Sequence, residues 1–239
     1  MITALRDRTG RKPDPYCKLY LPFRKLDGNS FADHSAYGHL CTNYGSLWTP
    51  QGRSFDGVDD YVDCGNKPSL NITKAITIEA WVKLPTGYTA SHKMVASKEG
   101  SAWYISILNN KVFFSPWIDG VQTYTYGTKI VSGDIWHHVA CSWDSATGKY
   151  RTYLDAQIDV DVIHPGNSLS TNTESVTLGF WERNAEKNFF IGSIDEVRIY
   201  NRALSASEIS QLYLTPYIGF VEFVEDFPLW WIKAQSTKI

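Results

Sequence analysis

The most regular hydrophobic pattern of the chain lies between residues 76 and 84, where apolar and polar side chains alternate. The apolar positions are Ile76, Ile78, Ala80, Val82 and Leu84, and the positions between them are Thr77, Glu79, Trp81 and Lys83. Successive side chains of a β-strand point to opposite faces, so this alternation predicts a strand with one buried face. We expect the second set, including Trp81, to line the outer face of a sheet.

Shorter segments of the same kind recur along the chain, separated by residues that favour turns. Asn109 and Asn110 predict a hairpin between residues 102–108 and 111–118, and the loop 144–148 predicts a second one. The other predicted strands lie at 18–23, 136–143, 149–154, 176–181 and 189–200. Because helices do not alternate with these strands, the pattern predicts an all-β fold of two facing antiparallel sheets, a sandwich or jelly roll.

One short C-terminal helix is predicted at residues 206–213. Ser205 and Glu208 have the spacing of a capping box, and the apolar stripe of this helix consists of Ile209, Leu212 and Tyr213. Composition divides the chain into a polar, Arg-rich arm at 1–15, a jelly-roll domain at 16–213 and an apolar arm at 214–239. We interpret the two outer parts as extended terminal arms.

Charge and hydropathy narrow the function classes. The 239 residues carry a net charge of −2 with both signs interspersed, so the chain offers no basic stripe for nucleic acid. No apolar stretch approaches the roughly 18 residues of a membrane span, and the N-terminus lacks the apolar region of a secretory signal. The four cysteines lack metal-site spacing and are expected to be small buried side chains rather than disulfides: Cys17, Cys41, Cys64 and Cys141.

Several segments resemble, in order, those of the laminin G-like, concanavalin A-like jelly rolls. They are 19–23 (LYLPF), 32–38 (ADHSAYG), 54–62 (SFDGVDDYV), 76–83 (ITIEAWVK), 136–140 (WHHVA), 153–155 (YLD) and, most specifically, 192–204 (GSIDEVRIYNRAL). The resemblance covers roughly residues 16–213. It implies a concanavalin A-like sandwich, a fold commonly used to bind glycans or proteins and often holding one structural calcium ion. Ala156 departs from the usual glycine, which predicts a turn that is strained or differently shaped.

A structural calcium site is predicted at Asp33, Asp195 and Asn29. Alternation along the last strand places Asp195 on the core side and leaves Glu196 and Arg198 in solvent. An inward carboxylate needs a hydrogen bond, an ion pair or a metal ion, and calcium takes several oxygen ligands. The resemblance also implies Asp33 as a ligand. The alternative is that Asp195 caps backbone N–H groups and Asp33 forms an Asx turn.

Tryptophan side chains are the candidates for glycan binding. Trp103, Trp117 and Trp181 lie near predicted loops or hairpins, where their rings could stack on sugars, although large aromatic side chains are more often buried. Catalysis is not expected. Asp195 and Glu196 are adjacent and point to opposite faces, and the chain has no carboxylate pair with the spacing that glycoside hydrolysis needs.

The C-terminal arm is rich in large apolar side chains and is expected to dock on its own domain or on a partner. The predicted docking residues are Phe220, Phe223, Phe227, Trp230 and Trp231. The sequence thus predicts a non-enzymatic surface or decoration component of a multi-subunit assembly, such as a virion or phage-like particle, whose partners are other protein subunits. The alternative is a lectin-like, carbohydrate-binding module. A virion or extracellular particle surface is the favoured location.

Overall fold

The computed structural model describes residues 14–23, 28–88, 91–98, 100–183 and 186–214. The strands in these ranges are β1 (Cys17–Leu21), β2 (Ser30–Ala32), β3 (Leu40–Tyr44), β4 (Leu47–Thr49), β5 (Gly52–Asp56), β6 (Tyr61–Asp63), β7 (Ala75–Lys83), β8 (Lys93–Lys98), β9 (Trp103–Leu108), β10 (Lys111–Ile118), β11 (Val121–Gln122), β12 (Thr125–Tyr126), β13 (His137–Asp144), β14 (Lys149–Leu154), β15 (Gln157–Ile163), β16 (Val176–Leu178), β17 (Phe180–Arg183), β18 (Glu186–Phe189) and β19 (Ile191–Tyr200). A short 3₁₀ helix at Pro68–Leu70 and the α-helix α1 (Ala206–Leu214) accompany them.

The strands form two antiparallel sheets, which confirms the predicted fold class. The eight-stranded sheet has the order β15-β14-β13-β7-β19-β5-β4, with β1 also paired to β19. The nine-stranded sheet has the order β11-β10-β9-β8-β16-β6-β3-β2, with β12 also paired to β10. Strands β17 and β18 form a separate hairpin that contacts β8.

The hydrophobic core lies between the two sheets. The predicted core residues Ile76, Ile78, Ala80 and Val82 of β7 are completely buried in it. Burying one large aliphatic side chain contributes about 1.5–3 kcal/mol, so this layer supplies much of the driving force for the sandwich. The opposite side of β7 faces outwards, as predicted. On that side, Trp81 stacks on Tyr213 of α1.

Two tight hairpin turns at predicted positions have left-handed backbone conformations. Asn109 and Asn110, between β9 and β10, have φ values of 51° and 58°. Asp155 and Ala156, between β14 and β15, have φ values of 49° and 62°. Asparagine tolerates the left-handed region, whereas the Cβ of alanine is crowded there. The predicted unusual turn at Ala156 is therefore present.

The last strand contains a β-bulge that corrects the predicted facing of its side chains. The register of β19 against β7 shifts between Asp195 and Arg198, and Glu196 has a φ of 52°. Asp195 pairs with Trp81, so its side chain lies on the outer face rather than on the core side. Glu196 and Arg198, predicted to be solvated, are buried. A bulge inserts one unpaired residue, and simple alternation fails across it.

The helix α1 covers the outer face of the eight-stranded sheet. Its capping box is present, since the Ser205 backbone N–H donates to Glu208 at 2.8 Å and the Glu208 N–H donates to the Ser205 hydroxyl at 3.3 Å. Ile209 is buried in a small cluster with Tyr153 and Tyr200. The five predicted docking residues of the C-terminal arm lie outside the described residues, as does most of the N-terminal arm.

Candidate functional site

The outer side of the nine-stranded sheet carries a set of aromatic side chains, which we call the aromatic face. Alternation along β9 and β10 creates it: Trp103 and Phe114 point into the core, whereas Tyr104, Phe113 and Trp117 point outwards. Such an arrangement is unusual, because the outer face of a sandwich is normally polar.

Ring contacts join the aromatic face into two groups, which adjoin at the neighbouring residues Phe180 and Trp181 of β17. At one end, Tyr44 stacks on Tyr61 at 4.4 Å between centroids, and Tyr61 contacts Phe180 at 5.1 Å. In the middle, Trp181 contacts Tyr104 at 5.3 Å. From Tyr104 the row continues to Phe113, with ring centroids 5.8 Å apart. Phe113 in turn contacts Tyr124 at 5.8 Å and Tyr126 at 4.8 Å. The face thus extends from β3 to β12.

The two ends of this row are open to solvent while its middle is covered. Tyr44 is 44% exposed, and Tyr124 and Tyr126 are 54% and 48% exposed. Trp117 and Trp181 belong to the face but are only 4% and 8% exposed. The rings that a ligand can reach are therefore the tyrosines at the ends of the row. The predicted glycan contacts were all tryptophans and do not include them.

The position of Trp103 corrects one of the predicted glycan contacts. Its side chain is 1% exposed and lies in the core between the sheets. A ring in that position has no free face for a sugar. The physical reason is register, because Trp103 lies one position before Tyr104 and so points to the opposite side of β9.

Small polar side chains beneath the rings hold the β17–β18 hairpin in place. The hydroxyls of Ser97 and Thr177 lie 2.8 Å apart, and each donates to the backbone carbonyl of Phe180 at 2.8 Å. Ser97 is completely buried. These bonds fix the start of β17 and thereby position both Phe180 and Trp181 over the sheet.

The predicted calcium ligand Asp33 is completely buried in the loop after β2. One carboxylate oxygen accepts the Ser35 N–H at 2.6 Å, as in an Asx turn, and the other accepts from the His39 N–H and lies 2.7 Å from His39 Nδ1. Burial alone would raise the pKa of Asp33, but the His39 and Ser35 hydrogen bonds outweigh it and lower that pKa. The carboxyl group is thus ionised and already hydrogen bonded.

The other two predicted calcium ligands differ from Asp33 in environment. The Asp195 carboxylate accepts the Glu196 N–H at 2.9 Å beside the bulge, and Asn29 is exposed. A calcium ion bound by Asp33 would have to share oxygens that already accept hydrogen bonds. The calcium assignment remains a prediction.

A cluster of three aspartates marks a second place where a cation could bind. Oxygen atoms of Asp56, Asp59 and Asp60 lie within 4.8 Å of one another. Asp56 accepts the Val58 N–H at 2.8 Å, and Asp60 accepts the Asp56 N–H at 2.8 Å. Two of the three carboxylates therefore cap their own turn.

Two histidines bridge a carboxylate to a serine hydroxyl in the order found in serine hydrolases. His137 lies 2.9 Å from Asp155 and 2.8 Å from the Ser132 hydroxyl, and His39 similarly joins Asp33 to Ser69 at 2.7 Å. The Ser132 backbone N–H also donates to the same nitrogen of His137 at 3.2 Å. The His137 imidazole thus links the loop that contains Ser132 to the β14–β15 turn that contains Asp155.

A buried ionic network lies on the outer face of the eight-stranded sheet. Glu79 bonds Arg198 at 2.6 Å and His138 at 2.8 Å, while Glu196 pairs with Arg198 and accepts from the Tyr20 hydroxyl at 2.9 Å. Burial would raise the pKa of Glu79, but Arg198 and then His138 outweigh it and lower that pKa. This network explains how charged side chains are buried around the bulge.

The chain belongs to the concanavalin A-like lectin/glucanases superfamily, since the Laminin_G_3 family model with that description matches residues 56–210. It is also 26% identical over 160 residues to the "Sushi, von Willebrand factor type A, EGF and pentraxin domain-containing protein 1" of Rattus norvegicus. The match covers 62% of this chain and about 4% of the length of that relative. The mouse protein of the same name matches with the same identity and coverage.

Solved structures share the fold at low sequence identity. The binding domain of Paraclostridial Mosquitocidal Protein 1 matches with a TM-score of 0.65 and 14% identity, covering 83% of this chain and 52% of that one. A structure of botulinum neurotoxin type C, whose cell entry depends on interaction with two ganglioside molecules, has a TM-score of 0.64 and 15% identity over 84% of this chain and 51% of that one. The botulinum neurotoxin DC binding domain in complex with rat synaptotagmin II has a TM-score of 0.63 and 14% identity, covering 84% and 51%.

The helices in the part of the chain that the structure describes are short. Within that part, no helix has the length and apolar character needed to cross a membrane.

Proposed function

We propose that this chain is a non-enzymatic recognition module that binds carbohydrate along its aromatic face. The observation that carries this proposal is the pair of adjoining ring groups on the outer side of the nine-stranded sheet, each of which ends in exposed tyrosines. The C–H faces of sugar rings pack on aromatic rings, and tyrosine adds a hydroxyl that can bond to sugar hydroxyls.

The relatives support a binding role. Similar folds include binding domains of toxins: the cell entry of botulinum neurotoxin type C depends on interaction with two ganglioside molecules, and the botulinum neurotoxin DC domain forms a complex with rat synaptotagmin II. Those ligands belong to the relatives. For this chain, the aromatic face favours glycan over an extended ionic partner, because its exposed ends consist of uncharged rings.

The proposal is tested with a glycan array, followed by calorimetric titration of the best ligand. Replacement of Tyr124 or Tyr126 by alanine should weaken binding about 3–10-fold each, which corresponds to about 0.5–1.5 kcal/mol per stacked ring. Tyr16→Ala is the matched control, because Tyr16 is similarly exposed at 53% but precedes β1, which pairs in the other sheet. Unchanged affinity in both face variants would refute the proposed site.

A second candidate function is a surface or decoration subunit of a larger assembly, such as a virion or phage-like particle. The observation that favours it is β15, which ends the eight-stranded sheet and exposes Ile158, Val162 and Ile163. An edge strand with exposed apolar side chains is a surface on which another chain can pair.

The oligomeric state of the full chain tests this second function. Light scattering after size exclusion should report an oligomer that Ile158→Lys and Ile163→Lys together reduce to a monomer. Val58→Lys is the control, because Val58 is also apolar and is even more exposed, at 69%, but lies in the turn before β6. A monomeric wild-type chain at high concentration would argue against assembly through β15.

A further inference from the structure

Two of the four cysteines face each other across neighbouring strands. The register of β3 against β6 pairs Thr42 with Asp63 and Asn43 with Val62. Continuing this antiparallel register by one residue places Cys41 directly opposite Cys64. Both side chains point into the core between the sheets.

Backbone hydrogen bonds identify this position as a non-hydrogen-bonded pair. The Cys64 N–H donates to Val176, at 2.8 Å, and so points away from β3. The Asn43 N–H donates to Asn29 of the segment before β2, at 2.8 Å, and Cys41, two residues earlier, has the same orientation. Cα atoms of such a pair lie about 4.5 Å apart, within the range of about 4.4–6.8 Å that a disulfide spans.

The two thiols are enclosed in the hydrophobic core. Cys41 and Cys64 are 0% and 1% exposed, so solvent does not reach either thiol. Burial, followed by the neighbouring Cys41 thiol, raises the pKa of Cys64. Because the thiolate is the reactive species, little of it forms at neutral pH in the folded chain.

We propose that Cys41 and Cys64 are a latent cross-strand disulfide, which closes when the chain folds in the presence of a small-molecule disulfide such as oxidised glutathione. One thiolate attacks the glutathione disulfide and releases the first glutathione thiolate. The second cysteine thiolate then attacks the mixed disulfide and releases the second glutathione. The protein thiols lose two protons and two electrons, and the glutathione disulfide is reduced to two thiols.

The bond would link β3 to β6 and close the segment 42–63, which contains the Asp56, Asp59 and Asp60 cluster. Closing a loop of this length restricts the unfolded chain, so we expect the oxidised protein to melt about 5–10 °C above the reduced protein. Cys17 and Cys141 lie in β1 and β13, which belong to the eight-stranded sheet rather than to the sheet of β3 and β6, and they provide an internal comparison.

The test is to refold the full chain in oxidised and reduced glutathione and to map disulfides by mass spectrometry without reduction. We expect a loss of two hydrogen atoms and one cross-linked peptide joining residues 41 and 64. The double variant Cys17→Ser, Cys141→Ser should behave identically. Cys41→Ala should keep all its remaining thiols and lose the rise in Tm.

Four alkylatable thiols in the refolded wild-type chain after denaturation would overturn the proposal, as would a cross-link that involves Cys17 or Cys141. If Cys41→Ala does not fold, Cys64→Ala and the mapped cross-link of the wild-type chain give the same decision. Oxidation of the already folded chain should be slow and should accelerate as the pH rises, since thiolate formation limits it.

Discussion

The ring of Tyr213 in α1 stacks on the ring of Trp81 in β7, with centroids 5.4 Å apart and planes 12° from parallel. Tyr213 also contacts His138 edge-on at 6.0 Å. The helix therefore closes the outer face of the eight-stranded sheet just beside the buried Glu79 network. This contact gives the short helix a tertiary anchor, without which nine residues would be only marginally helical in water.

The first prediction concerns this anchor. Tyr213→Ala should lower the free energy of unfolding by about 1–3 kcal/mol, because it removes an aromatic pair and uncovers Trp81. Leu214→Ala is the control in the same helix; Leu214 is exposed, so its loss should cost no more than about 0.5 kcal/mol. Urea unfolding measures both. Equal effects would show that the stacking contact contributes nothing special.

The second prediction concerns pH. The pKa of Glu79 is lowered in the folded chain from its ordinary value of 4.5, so its ionised form stabilises the fold at higher pH. That contribution is fully present above about pH 4.5 and is lost as the pH falls through the lower folded-state pKa. Glu79→Gln should therefore flatten the acid limb of a stability–pH profile. Asp161→Asn, which breaks the exposed pair with Arg151, should leave that limb unchanged.

The third prediction concerns the turn between β14 and β15. Ala156→Gly should raise the free energy of unfolding by about 0.5–1 kcal/mol, because glycine adopts a φ of 62° without crowding its Cβ. Ala146→Gly provides the contrast: Ala146 lies in another exposed loop and is not among the residues with positive φ, so glycine there should destabilise slightly. Thermal unfolding of the two variants distinguishes strain relief from a general effect of glycine.

The fourth prediction concerns calcium. An ion bound at Asp33, Asp195 and Asn29 requires that EDTA lower the Tm and that added calcium restore it. Asp195→Asn should abolish this difference, because it removes a charged ligand. If the Asx turn of Asp33 is the whole explanation, EDTA will leave the Tm of the wild-type chain unchanged, and the calcium prediction is wrong.

The paired cysteines show a limit of reading the sequence alone. Their burial was predicted correctly from their residue type. Their position opposite each other was not, because Cys41 and Cys64 become neighbours only through the pairing of β3 with β6. Spacing along the chain carries no information about that register.

The sequence by itself determined the two-sheet architecture, the core side of β7, the β9–β10 turn at Asn109 and Asn110, and the capped helix, because each depends on neighbouring residues and on local backbone preference. Only the tertiary structure decided the environment of Asp195 and Arg198, because one bulge residue reverses alternation, and the location of the aromatic face, because its rings come from strands far apart in the chain. Long-range pairing brings those groups together, and no local pattern encodes it.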